Sequence, residues 1–296
     1  MKTALKRIVG PAWEFRIRQL RRLRWITKYR LMRSFNADVG VLRRVAYVLF
    51  DPELESFSFE LADERGVIAA LAEALGCPEE ELAGYAEEAH RDPELNERLT
   101  RRVRWRFDFK RHTPIGSRLA WYLTARALKP EVIVETGIYM GLGSLVLLRA
   151  LERNAQEGHR GELLSFDSNP LAGWLVRDEL RGRWHRVTGM TPTTLVPAVT
   201  GRRVGMLLHD TAHTEETQRI EFEAALANAA PRLVLVDGSG GYVPTLEQLC
   251  AERDGSYHRV VSLSRAHVHP GSELRFAIFE AAPLAVLRDG EPASAA

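Results

Sequence analysis

From Glu131 onward the chain alternates short apolar runs with stretches of helical length. The apolar runs are Val132 to Glu135, Glu162 to Asp167, His185 to Thr188, Val204 to His209 and Arg232 to Asp237, followed by His258 to Leu263 and Leu274 to Glu280. Between them, Leu145 to Leu151 and Glu215 to Ala229 have the length and composition of helices. Strands alternating with helices predict a mainly parallel sheet with helices on both faces. The last two runs lack a helix-length connector, because Ser264 to Glu273 contains Pro270 and Gly271. They are expected to pair as antiparallel neighbours. The prediction is a doubly wound, seven-stranded α/β sheet ending in an antiparallel hairpin.

Upstream the pattern changes. Ala62 to Leu75 has helical periodicity and stops at Gly76. Pro78 suits a first helical turn, and Glu79 to Glu81 suit the positive end of a helix dipole. Asp92-Pro93 predicts another helix start, running to about Phe107, and Thr113 to Leu128 reads as one more helix. A helical appendage is thus expected over residues 1–112 and an α/β domain over 113–296. The longest apolar stretch, Val132 to Leu148, is interrupted by Glu135 and three glycines, so it reads as strand, loop and helix and not as a membrane span.

Charge adds one feature. The net charge of +2 gives no reason to expect a nucleic-acid partner. Residues 1–37, however, set Trp13, Phe15, Trp25 and several leucines among many Lys and Arg, with Glu14 the one acid. That segment could lie on a membrane or grip a second copy; packing on its own domain is the plainer expectation, and a homo-oligomer is expected. Cys77 and Cys250 form neither a metal spacing nor a disulfide framework, and no secretory leader pattern is present. A reducing cytoplasm is the default expectation.

The chemistry concentrates at the ends of the apolar runs. Val132-Ile-Val-Glu-Thr-Gly-Ile-Tyr-Met-Gly-Leu-Gly-Ser144 is an apolar run, an acid, a glycine turn with Gly137, Gly141 and Gly143, and then a helix. Glycines let backbone approach a ligand, and a helix N-terminus offers free N–H groups. The dinucleotide pattern G-x-G-x-x-G is absent, since Tyr139 stands where its second glycine would be. Glu135 would repel a pyrophosphate and suits hydroxyls or an ammonium. Asp167 ends the second run, where an acid can accept hydrogen bonds from the ribose of an adenosine cofactor. The fourth run ends in Leu207-Leu-His-Asp-Thr-Ala-His-Thr214, at the carboxyl edge where open α/β sheets bind ligands. Thr211 or Thr214 is a candidate N-cap for the helix that follows.

The acid and glycine loop resembles motif I of the class I S-adenosylmethionine-dependent methyltransferases. The order of segments from about Thr113 to Ala281 is similar to small-molecule O-methyltransferases related to macrolide-sugar and cephalosporin tailoring enzymes. The resemblance implies a cofactor site of Glu135, Gly137, Tyr139, Gly141, Ser144, Asp167, Ser168, Met190 and Asp210, with Met190 against the adenine. It implies His213 as the base that deprotonates a small-molecule hydroxyl, with Asp210 beside it. It also implies Asp210 and Asp237 as ligands of a magnesium ion, although Val236 and Gly238 flank Asp237 where related sites offer a second polar group. Two other readings stay open: a metal-dependent hydrolase using His209, Asp210 and His213, and a binding module with the same fold and no catalysis.

Overall fold

The chain is described by a computed structural model over residues 60–103, 115–170, 172–237, 244–265 and 271–279, together with Leu42. The basic segment 1–37 and the loop histidines His267 and His269 lie outside the described residues.

Eight strands form one sheet: β1 (Glu60–Leu61), β2 (Val132–Thr136), β3 (Glu162–Asp167), β4 (Trp184–Thr188), β5 (Val204–His209), β6 (Leu233–Asp237), β7 (Ser256–Arg265) and β8 (Gly271–Ile278). Their order is β1-β7-β8-β6-β5-β2-β3-β4. Strands β2 to β6 pair in parallel, and β8 runs antiparallel to both β6 and β7. This is the expected doubly wound sheet with its terminal hairpin. The two-residue β1, antiparallel to the end of β7, was not foreseen. The strand order reverses between β2 and β5, so a crevice opens there at the carboxyl ends of the strands, the usual ligand position in open α/β sheets.

Side chains alternate across this sheet with a period of two. On β2, Ile133 packs into one core, while Val132 and Val134 pack into the other. The first core holds helices α1 (Glu64–Leu75), α2 (Glu79–Arg91), α4 (Arg118–Leu128) and α5 (Leu142–Gln156); the short α3 (Glu97–Val103) precedes α4 in the chain. The second core holds α6 (Thr191–Val199), α7 (Glu215–Asn228) and α8 (Thr245–Glu252). The alternation sends Glu135 toward α4 and α5 and Thr136 toward α7.

The helix expected to begin at Asp92-Pro93 begins instead at Glu97. Asp92 is fully buried; its Oδ1 accepts the N–H of Glu94 at 2.8 Å and its Oδ2 pairs with Arg149 at 2.6 Å. Those bonds hold a turn in place of a first helical turn. Helix α4 likewise starts at Arg118, after a turn over Gly116 and Ser117. Leu71, Leu82, Leu95 and Leu99 are fully buried in the same core as Leu145 and Leu163. Within 60–103, α1, α2 and the turn before α3 therefore share the core of the sheet.

Candidate functional site

Strand β2 runs straight into the glycine loop. Gly137 has φ +92°, and a Cβ there would stand 2.1 Å from the carbonyl oxygen of Asp210. No other residue fits that contact, which ties the loop to the end of β5. Gly141, at φ +89°, caps α5, and a Cβ there would press on Gly173 at 2.8 Å. Between them Tyr139 holds a positive φ of 50° without being glycine, a conformation that neighbouring contacts must stabilise. Asp167 supplies such contacts. Its Oδ2 accepts the N–H groups of Ile138 at 3.0 Å and Tyr139 at 2.9 Å, and its Oδ1 accepts that of Asn169 at 2.7 Å.

The loop, the ends of β3 and β4 and the start of α7 enclose a cavity of about 400 Å³. Six of the residues singled out in the sequence line it: Gly137, Tyr139, Asp167, Ser168, Met190 and Asp210. Met190 is 65% exposed, so it belongs to no core and offers its side chain to a ligand. The cavity wall also takes in Asn169, Thr211, Thr217 and Glu221.

Glu135 and Ser144 were expected beside the ligand, and the structure sets both outside the cavity wall. Glu135 is 1% exposed, on the α4 and α5 side of the sheet. Its Oε2 accepts the hydroxyls of Ser144 and Ser165, each at 2.6 Å. Burial pushes its pKa up to about 7, against the lowering effect of those two hydroxyls. Gly141 also stays off the wall and shapes the loop.

At the end of β5, Asp210 donates its N–H to the carbonyl of Thr136 at 2.8 Å. Burial, and after it the charge of Asp237, raises the Asp210 pKa well above the usual carboxylate range. His213 stands with Nε2 4.0 Å from Asp210 Oδ1 and is 15% exposed. It follows the wall residues Thr211 and Ala212, just before the N-cap Thr214, whose hydroxyl accepts the N–H of Thr217 at 3.2 Å. Burial, then the electrostatic effect of the neighbouring His209, lowers the His213 pKa below its ordinary value. A neutral imidazole at pH 7 can accept a proton.

His209 is fully buried, with Nδ1 2.8 Å from Glu221 Oε2. The Thr136 hydroxyl donates to the same oxygen at 2.8 Å, and the Thr211 hydroxyl donates to Oε1 at 3.3 Å. The rings of Phe222 and His213 pack edge-on against His209, at 5.3 Å and 5.4 Å between centroids. Sequence reasoning missed Glu221. A signal was present, because Gln218, Glu221, Phe222 and Ala225 share the buried face of α7, and an acid on such a face calls for a polar partner.

The structure gives the two metal readings no support. Among the described residues, no group of three or more His, Cys, Asp or Glu side chains is arranged to hold a metal ion.

Residues 134–237 match the family model described as a methyltransferase domain. The match spans the glycine loop, Asp167, Asp210, His213 and Asp237, and bears out the methyltransferase reading of the sequence. No curated protein matches the chain. Among solved structures, an O-methyltransferase from Bacillus cereus in complex with SAH is 15% identical, over 64% of this chain and 91% of that one, with a TM-score of 0.47. The O-methyltransferase TomG from Streptomyces achromogenes, involved in tomaymycin synthesis and in complex with SAM, is 18% identical over 64% and 90%, with a TM-score of 0.47. Likenesses this distant carry no argument about substrate. Among the described residues, no helix is long and apolar enough to cross a membrane.

Proposed function

We propose that the chain transfers a methyl group from S-adenosylmethionine to the hydroxyl of a small molecule. The observation that carries this reading is the cavity's charge. Its wall holds three acidic side chains, Asp167, Asp210 and Glu221, and, among the described residues, no Lys or Arg. Such a wall repels the pyrophosphate of a dinucleotide and attracts a cation. S-adenosylmethionine supplies a methyl group on a positively charged sulfur, attached to an adenosine.

Each part of the wall has work to do in this reading. Asp167 has lone pairs beyond its backbone bonds to receive ribose hydroxyls. Met190 and Ser168 flank the adenine. Gly137 and Asp210 border the crevice where the sulfur and the acceptor oxygen meet. His213 takes the acceptor proton on its imidazole while the oxygen–carbon bond forms and the carbon–sulfur bond breaks. Asp210, with Oδ1 4.0 Å from the His213 Nε2, stands beside that ring and limits how it can turn. Holding two reactants in line supplies much of the acceleration in such a displacement.

The test is calorimetry with S-adenosylmethionine and NAD in parallel, followed by turnover on a panel of phenols, catechols and sugars. Binding of the methyl donor alone is expected. His213→Ala is expected to lower turnover by roughly a hundredfold or more, the usual weight of a general base, with donor affinity little changed. Binding of NAD in its place overturns the donor, and full turnover in His213→Ala overturns the base.

A further inference from the structure

We infer that Glu221 is a specificity-determining residue, a buried carboxylate at the strand-reversal crevice that makes the cavity favour a cationic sulfonium over its neutral thioether product. The inference rests on the cavity being the S-adenosylmethionine site and names a residue to which neither the loop motif nor the family match gives a role.

The argument is one of location. Thr136 ends β2, His209 ends β5, and the two are paired in register across the crevice. Both bond the same oxygen of Glu221, and Thr211, the residue after Asp210, bonds the other. Glu221 is 1% exposed and still contributes to the cavity wall. Its carboxylate is thus fixed from three directions at the meeting point of Gly137 and Asp210. A negative charge held there, away from bulk water, acts on a nearby cation far more strongly than the same charge on the surface.

The other two acids of the wall are placed differently. Asp167 lies at the β3 side and spreads its charge over three backbone N–H groups. Asp210 stands beside Asp237 and is pressed toward its protonated form. Glu221, bonded by the Thr136 and Thr211 hydroxyls and by the His209 ring, is the remaining acid of the wall at the crevice. Methyl transfer turns the sulfonium into a thioether, and the attraction disappears with the charge. The product keeps its adenosine and amino-acid contacts but loses that attraction, which favours its exchange for fresh donor.

The experiment measures dissociation constants of S-adenosylmethionine and S-adenosylhomocysteine for the wild-type chain and Glu221→Gln. The variant is expected to lose roughly fivefold or more in affinity for the sulfonium, about 1 kcal/mol by the affinity relation, with the thioether within about twofold. An equal fall for both ligands, or no fall, overturns the inference and leaves the donor assignment standing. A wild-type chain that binds neither ligand overturns the donor assignment and the inference with it. If Glu221→Gln does not fold, Glu221→Asp carries the test, because it draws the charge back by one methylene. A smaller fall in the preference for sulfonium over thioether is then expected, and an unchanged preference overturns the inference.

Discussion

Two residues show how one position in the chain decides a site. At Gly137 the backbone is in the left-handed region and lies against the carbonyl of Asp210. Gly137→Ala is expected to cost about 1–3 kcal/mol through strain, and to weaken donor binding at least tenfold because the loop must move. Calorimetry and urea unfolding of one preparation separate the two effects. At Glu135 the consequence is a pH dependence. The folded chain holds this proton up to about pH 7, while the unfolded chain releases it near the ordinary value of 4.5. Between those values the folded state binds more protons, so stability falls as pH rises. The contribution is up to about 3 kcal/mol over that window by linkage. Glu135→Gln keeps an oxygen for Ser144 and Ser165 and removes the titration. Its stability is expected to fall less than wild type between pH 5 and pH 8, as read by urea midpoints at both values.

At the level of elements, the sequence announces what repeats and hides what occurs once. Strands β2 to β6 are legible because each is an apolar run closed by a polar residue and followed by a helical stretch. The hairpin is legible from its short connector. Asp92 misleads, because an Asp-Pro step commonly opens a helix, whereas here the carboxylate is drawn inward by Arg149 and Arg153. Strand β1 is two residues long, too short to leave a pattern. In the site, the glycine loop and Asp167 are legible from spacing. The burial of Glu135 is not, because an acid at a strand end looks alike whether it faces ligand or core. The alternation that turns it away from the cavity needs the register of β2 against its neighbours. Asp92 also gives the test at this scale. Asp92→Asn keeps the turn and removes a fully buried partner of Arg149. It is expected to cost about 3–5 kcal/mol, measured as a lowered urea midpoint, because breaking one side of a buried ion pair leaves the other uncompensated.

At the level of the whole molecule, the boundary expected at 112/113 is crossed by the hydrophobic core. Leu95 and Leu99 before it pack in one cluster with Leu119, Trp121 and Leu145 after it. A chain starting at residue 113 is therefore expected to lose its cooperative thermal transition and to aggregate, which calorimetry and light scattering would register. Soluble, cooperatively folding material would show that the sheet stands without α1 and α2. The hold that Asp167 keeps on Ile138 and Tyr139 reaches further than the geometry of one turn. A loop tied down before any ligand arrives has little ordering left to do on encounter. Donor capture should then proceed in a single exponential phase whose rate climbs linearly with concentration, with no plateau marking a slow rearrangement, and stopped-flow fluorescence would follow it directly.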